Sequence, residues 1–172
     1  MRRPTGLFVC AALLLAGGVA DAQQIDPTWL RADAAAKSVD FTLVAGLTGL
    51  NGGMNFNGFS QGRLNLTVPR GWTVVLHFKN QDQNLPHSVE IIADTNSLPI
   101  GPVPPAFDRA STGKLEQGFS DGQGNDVRFL AGKTGSFLIF CAVPGHGAAG
   151  MWIRLTVSAT AGKPTLAATP AP

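Results

Sequence analysis

Apolar side chains occupy every second position over much of the chain, which is the spacing of half-buried β-strands. Residues 72–79 (WTVVLHFK) are an example, because one face carries Trp72, Val74, Leu76 and Phe78. The same alternation, or a short apolar run, predicts strands at residues 38–47, 63–68, 72–79, 88–93, 127–131, 136–142 and 151–158. Turn residues such as Pro69-Arg70-Gly71 separate these segments. Several short strands with regular turns predict an all-β fold, a Greek-key β-sandwich.

Three segments do not follow the strand pattern. Residues 27–37 (PTWLRADAAAK) are rich in Ala and begin with Pro, which predicts a short N-terminal helix. Residues 94–126 contain four Pro and many polar residues. A loop of this length is usually functional or carries small elements of its own, and its conformation stays open. Residues 159–172 are mostly small residues and Pro, with a single charge at Lys163, and this composition predicts a disordered tail.

The N-terminus has the three-part pattern of a secretory signal peptide. Arg2 and Arg3 precede an apolar stretch at residues 7–20, and Ala20-Asp21-Ala22 fits the small-x-small cleavage pattern. An uncleaved membrane anchor is the alternative, but the apolar stretch is shorter than the ~20 residues of a membrane span. We therefore expect a periplasmic or secreted protein. The predicted divisions are a signal peptide (1–22), a helical extension (23–37), a sandwich domain (38–158) and a disordered tail (159–172).

Composition excludes several classes of function. The chain has 172 residues with 13 basic and 11 acidic side chains, and its formal charge of +2 is too balanced for binding nucleic acid by phosphate neutralisation. Two Cys cannot form a disulfide-rich scaffold. Cys10 falls inside the predicted signal peptide, so the exported protein would keep Cys141 alone. A lone thiol in an oxidising compartment is a liability unless something occupies it.

Residues 141–151 (CAVPGHGAAGM) carry the most informative chemistry. Four residues separate Cys141 from His146, and four separate His146 from Met151; all of them are Gly, Ala, Pro or Val. Such a loop can turn tightly and bring a thiolate, an imidazole and a thioether to one point. Copper accepts all three, and a second imidazole would complete a trigonal His₂Cys site with a weak axial Met. His87 is the candidate, because it opens a strand after a polar turn and can project from the same end of the sandwich.

Each of these side chains also has an ordinary structural explanation. A lone buried Cys is usually a small apolar residue, a lone Met fills a core, and a lone His in a Gly-rich turn is solvated. The combination at one end of one fold nevertheless predicts a single copper ion bound by His87, Cys141, His146 and Met151. His77 is excluded, because the period of two places it opposite the apolar face of its strand, toward solvent.

Four motifs occur in order along the chain: residues 55–58 (NFNG), 68–72 (VPRGW), 84–88 (NLPHS) and 143–151 (VPGHGAAGM). With them, the chain resembles the sulfocyanins and, more distantly, the rusticyanins, which are small blue (type 1) copper proteins with the cupredoxin fold. The resemblance covers residues 41–158, with 94–126 poorly matched. It implies a cupredoxin domain at 38–158, with His87, Cys141 and His146 as equatorial copper ligands and Met151 as the axial ligand. Ser88 is a departure, since sulfocyanins usually carry Asn there.

The resemblance implies a soluble periplasmic one-electron carrier, with copper cycling between Cu(I) and Cu(II) and no catalytic turnover of its own. The electron would pass through the exposed edge of His146, within a small apolar patch. The expected partners are a c-type cytochrome, another copper protein, or a terminal oxidase or reductase. We expect a monomer with no nucleic-acid partner and no stable membrane insertion after signal cleavage. The apolar strand before Cys141 predicts a relatively high reduction potential, because a dry shell with few donors to sulfur favours Cu(I).

Other functions stay open at this point. A periplasmic copper carrier or storage protein would use the same ligands, and a cupredoxin-like binding module would retain the site only as a vestige. Enzymatic copper chemistry is disfavoured, because three His cannot supply the His-x-His pairs of a multicopper oxidase and one Cys cannot form a binuclear centre. A hydrolase would need an oriented Ser–His–acid group, and the sequence contains no recognisable one.

Overall fold

The computed structural model describes residues 24–169, which form nine strands and two 3₁₀ turns. The turns are Pro27–Trp29 and Leu50–Gly53. In chain order the strands are β1 (Leu30–Asp33), β2 (Ser38–Ala45), β3 (Leu64–Pro69), β4 (Thr73–Asn80), β5 (Glu90–Ala93), β6 (Gly124–Leu130), β7 (Gly135–Phe140), β8 (Trp152–Ser158) and β9 (Thr165–Ala168). Within the described part of the chain, no helix is long and apolar enough to cross a membrane.

The strands form two mixed sheets. The first has the order β1-β2-β4-β6, in which β2 and β4 are parallel and the other pairs are antiparallel. The second has the order β5-β7-β8-β3-β9, in which β3 and β8 are parallel and the other pairs are antiparallel. The chain crosses from β2 in the first sheet to β3 in the second and returns to β4, so both sheets cover one core. The predicted β-sandwich is confirmed.

Side chains from both sheets meet in this core. On β4, the alternating residues Val74, Leu76 and Phe78 are at most 3% exposed. Burying a side chain of this size contributes roughly 1.5–3 kcal/mol, so the alternation selects one register for each strand. Cys141 and Met151 belong to the same buried cluster, next to the ends of β7 and β8.

The predicted N-terminal helix at residues 27–37 is wrong. The chain makes one 3₁₀ turn, capped by the Asp26 carboxylate, which accepts a hydrogen bond from the Thr28 N–H at 2.8 Å. It then forms β1, which pairs antiparallel with β2. Trp29 and Leu30 pack against the core, and the edge of β2 supplies backbone partners. These tertiary contacts outweigh the helix propensity of the Ala residues, three of which, at positions 34–36, fall in the turn after β1.

The predicted disordered tail at residues 159–172 contains β9, so the prediction is wrong for Thr165–Ala168. β9 pairs antiparallel with the edge of β3, and Leu166 packs against the core. An edge strand presents unpaired N–H and C=O groups, which a further strand satisfies. The composition of the tail does not reveal this partner. Residues 170–172 and the predicted signal peptide (1–22) lie outside the described residues.

The long loop between β5 and β6 is ordered against the sandwich. Ser111 forms a backbone bridge with Glu90, and Phe119 forms one with His87. The Phe107 side chain enters the main core and is 6% exposed. The loop therefore carries small elements of its own, and one of them lies directly against the predicted metal site.

Candidate metal centre

One sulfur and two imidazole nitrogens converge where β7 ends and β8 begins. The Cys141 Sγ lies 3.9 Å from His87 Nδ1 and 3.7 Å from His146 Nδ1, and the two nitrogens are 3.2 Å apart. The circle through these three atoms has a radius of about 2.1 Å, close to the length of a metal–nitrogen or metal–sulfur bond. The three atoms are therefore close enough together to bind a single ion.

The hairpin of β7 and β8 holds the loop that carries two of these atoms. Cys141 follows the last residue of β7, and Met151 precedes the first residue of β8. The Cys141 N–H donates to the Met151 carbonyl, and the Met151 N–H donates to the His146 carbonyl, both at 3.0 Å. A further bond runs from the His146 N–H to the Val143 carbonyl at 3.1 Å. The backbone of the loop thus closes on itself around the site.

Distant parts of the chain brace the outer side of this loop. The Gly145 N–H donates to the Ile100 carbonyl at 2.7 Å. The side-chain amide of Asn51 donates to the Ala149 carbonyl at 3.0 Å, across 98 positions of sequence. Sequence reasoning did not find these braces, because a single polar or apolar residue in a loop carries no signal of so distant a partner.

His87 reaches the site from the segment between β4 and β5. Its N–H donates to the Phe119 carbonyl at 3.1 Å, and the Phe119 N–H donates back to the His87 carbonyl at 2.8 Å. The side-chain amide of Asn80 donates to the carbonyls of Leu85 and Phe119 at 2.9 and 2.7 Å. These bonds tie the segment to β4 and to the long loop. On the imidazole, Nε2 lies 3.3 Å from Oδ2 of Asp82, and Nδ1 faces the sulfur.

Burial shifts all three protonation equilibria toward the neutral form. It raises the pKa of the Cys141 thiol to about 11, although hydrogen bonds from Ser88 oppose the shift. Burial lowers the pKa of His87 against the opposing effect of Asp82, and burial together with repulsion from His87 lowers the pKa of His146. Neutral imidazoles present lone pairs to a metal ion, and a bound cation supplies the charge that favours the thiolate.

Met151 completes the donor set. Its side chain is fully buried, in the same core cluster as Cys141. Its backbone forms hydrogen bonds with the backbone of both Cys141 and His146. Two imidazoles and a cysteine sulfur around one point, with a buried Met in the same core cluster, are the residue types of a blue-copper site. The structure thus brings together the four residues that the sequence pattern selects, in an arrangement that fits copper.

The ring of His146 is the part of the site closest to solvent. It is partly exposed, whereas the other two side chains of the triangle are fully buried. Exposed Pro144 lies in the same loop, and Ile100, which is 72% exposed, lies beside it through the bond to Gly145. Residues 142–151 contain no charged side chain. We call this surface, formed by Ile100, Pro144, His146, Ala148 and Ala149, the His146 patch.

His77 lies outside the site, and its predicted exposure to solvent is confirmed. Its side chain is 45% exposed, with Nε2 3.0 Å from Oδ1 of Asp40 and Nδ1 3.1 Å from Oδ1 of Asp126. Asp40 belongs to β2 and Asp126 to β6, so this histidine links three adjacent strands of the first sheet.

The fold and the site define a cupredoxin, a small β-sandwich protein with a type 1 copper site. The sulfocyanin (SoxE) domain matches residues 27–167. The chain therefore belongs to the sulfocyanin family, and the resemblance found in the sequence is confirmed.

Known proteins resemble this chain in sequence or in fold. Sulfocyanin of Sulfolobus acidocaldarius is 30% identical over 134 residues, which cover 71% of this chain and 64% of that protein. The chain thus matches less than two thirds of the length of that relative. The copper protein rusticyanin shares the fold with a TM-score of 0.51 and 21% identity, covering 76% of this chain and 87% of rusticyanin. A histidine-to-methionine variant of rusticyanin gives 0.52 and 22%, with 71% and 78% covered.

Proposed function

We propose that this chain is a mononuclear type 1 copper protein that acts as a one-electron carrier in the periplasm, without catalytic turnover of its own. His87, Cys141 and His146 would be the equatorial ligands and Met151 the axial ligand. The proposal rests on the triangle of Cys141 Sγ and the two Nδ1 atoms, with sides of 3.2, 3.7 and 3.9 Å. When bound there, copper supplies a one-electron couple between Cu(II) and Cu(I).

The chain contributes a site whose ligands have little room to move. Cys141 and Met151 are fixed to each other by a backbone hydrogen bond and packed in the core, and the bond between Gly145 and Ile100 holds the loop from outside. Close packing resists displacement of side chains, so these residues would keep nearly the same positions whether the copper they hold is Cu(II) or Cu(I). The Cys141 side chain is fully buried, so bulk water does not reach the sulfur.

The His146 patch is the proposed point of electron exchange. The His146 ring extends from the buried site to the surface, and the surrounding loop is apolar and uncharged. Redox encounters use small interfaces, and a formal charge of +2 provides little long-range steering. The proposed partners are a c-type cytochrome, another copper protein, or a terminal oxidase or reductase, each meeting a monomer of this chain.

The periplasmic location is supported by the N-terminal signal pattern and by the state of the thiol. Removal of residues 1–22 would leave Cys141 as the only cysteine. Copper bound at Cys141 would protect that thiol in an oxidising compartment. After cleavage we expect no stable membrane insertion, since no helix within residues 24–169 is long and apolar enough to span a membrane.

Addition of Cu(II) to the purified protein tests the type 1 site. We expect an intense blue or green absorption band at one copper per chain, which ascorbate bleaches and which Cys141→Ser abolishes. His77→Ala is the matched control, because it removes a histidine outside the site and should keep the colour. A wild-type protein that binds Cu(II) without this band would refute the proposal.

A second measurement distinguishes an electron carrier from a copper carrier or storage protein, which would use the same four ligands. Slow loss of copper to a chelator together with rapid reduction of a c-type cytochrome is the expected result. Rapid loss to the chelator together with slow electron exchange would assign the chain to copper transport or storage instead.

A further inference from the structure

We propose that Asp82 is a positioning residue of the copper centre, which holds His87 with Nδ1 toward the metal and favours the Cu(II) state through its negative charge. The inference rests on the proposed copper site. The Asp82 side chain is 8% exposed, and the His87 side chain is fully buried. The two groups meet through Asp82 Oδ2 and His87 Nε2, which are 3.3 Å apart.

The carboxylate of Asp82 is held in place by the backbone around it. Its Oδ1 accepts hydrogen bonds from the N–H groups of Asn84 and Leu85 at 2.9 and 3.1 Å. The N–H of Asp82 donates to Oδ1 of Asn80 at 2.8 Å. The bonds from Asn84 and Leu85 use one carboxylate oxygen and leave the other directed at the imidazole. The turn before His87 is therefore organised around this contact.

The contact determines which nitrogen of His87 is available to a metal. An ionised carboxylate only accepts hydrogen bonds, so the His87 Nε2 must carry the proton. The lone pair is then on Nδ1, which faces the Cys141 sulfur and the Nδ1 of His146. Carboxylate partners of this kind orient metal-binding histidines and raise their basicity.

Two glycines far away in sequence make room for the carboxylate. Gly46 has φ +66°, and a Cβ there would lie 2.5 Å from the Cβ of Asp82. Gly53 has φ +87°, and a Cβ there would overlap Oδ2 itself. The chain after β2 thus leaves a slot that side chains at these positions would fill. A slot that matches the oxygen facing His87 indicates that the contact is a built feature of the site.

The full charge distinguishes Asp82 from a neutral acceptor such as a backbone carbonyl. With neutral imidazoles, the thiolate and the carboxylate together carry two negative charges. These charges balance Cu(II) and leave one negative charge in excess when the site gains an electron from its donor and becomes Cu(I). In a buried site this difference is weakly screened, so Asp82 lowers the reduction potential and opposes the effect expected of the apolar strand before Cys141.

Redox titration of Asp82→Asn tests the charge. Asparagine has nearly the same shape but no charge, so we expect its reduction potential to be higher than that of the wild-type protein. Asp108→Asn is the matched control, because it removes the same charge from a side chain that is 90% exposed, and its potential should stay near the wild-type value. Asp82→Asn with a blue band and the potential of the control would overturn the inference.

Two further measurements test the positioning. In the metal-free full chain, ¹⁵N NMR of the imidazoles should show His87 protonated at Nε2, and Asp82→Ala should mix the two tautomers. Copper affinity of Asp82→Ala should fall by about 10–100-fold. A wild-type His87 protonated at Nδ1 would overturn the inference, even if Asp82→Ala did not fold. If wild-type protein forms no blue site, the proposed function fails, while the tautomer still reports on Asp82 separately.

Discussion

Gly147, directly after His146, is the position where one added methyl group should disturb the site most. Its φ is not in the left-handed region, so backbone conformation does not require glycine there. The constraint is space, because a Cβ at Gly147 would overlap the ring of Phe140. That ring is fully buried in a small cluster with Ile92, Leu138 and Ala142. Gly147→Ala must therefore displace either the ring or the loop that carries His146.

Either displacement would lower the stability of the fold. Overpacking a close-packed site costs about 1–3 kcal/mol. Moving the loop outward would strain the bonds from Gly150 N–H to the Gly147 carbonyl at 2.9 Å and from Met151 N–H to the His146 carbonyl at 3.0 Å, each worth about 1 kcal/mol. We therefore expect Gly147→Ala to lower the free energy of unfolding by about 2 kcal/mol. The blue band should also shift, because His146 moves with the loop.

Urea unfolding of the metal-free and copper-loaded proteins measures this loss. Gly101→Ala is the matched control, since a Cβ there meets no atom within 4 Å. Phe140→Leu should relieve the overlap, so the double variant with Gly147→Ala should lose less stability than the two single changes added together. A Gly147→Ala protein within about 0.5 kcal/mol of the control, with an unchanged spectrum, would show that the loop yields easily and would refute this reasoning.

Met151→Gln should lower the reduction potential, because an amide oxygen is a harder ligand that favours Cu(II); an unchanged potential would argue against Met151 as the axial ligand. At His77, partial burial alone would lower the pKa, but the carboxylates of Asp40 and Asp126 outweigh it and raise the pKa. The ion pairs should therefore stabilise the protein fully below about pH 6.5 and lose this effect as the pH rises through the raised pKa. Unfolding of His77→Ala should show a deficit of about 0.5 kcal/mol at pH 5.5 that shrinks at pH 8.5; an equal deficit at both pH values would contradict the pairing.

Much of the site was predictable because its ligands are close together in sequence. Cys141, His146 and Met151 lie in one short hairpin loop of small residues, so their spacing restricts their geometry before any other part of the chain is considered. The strands that flank this loop were equally clear, since their alternation matches a period of two. The same period of two excluded His77 as a ligand by placing it toward solvent, and the side chain does face solvent.

Other features had weak or misleading signals. The Ala residues after β1 favour a helix by propensity, yet the edge of β2 draws that segment into the sheet. The small residues near the C-terminus favour disorder, yet β3 offers an edge that β9 covers. Asp82 was not identified from the sequence. The available signal was that Asp82 is the only carboxylate in the polar turn before His87.

By itself the sequence determined the donor types, the loop that carries three of them and the strands on either side, because local spacing and side-chain chemistry act over a few residues. The tertiary structure decided three further properties: how His87 comes close to Cys141, from which it is 54 positions away, which of its nitrogens faces the sulfur, and how deeply that sulfur is buried. These properties depend on contacts between segments that are neighbours only after the sheets pair. The roles of Asp82, of Gly46 and Gly53 and of the edge of β3 therefore follow from tertiary packing and not from local sequence.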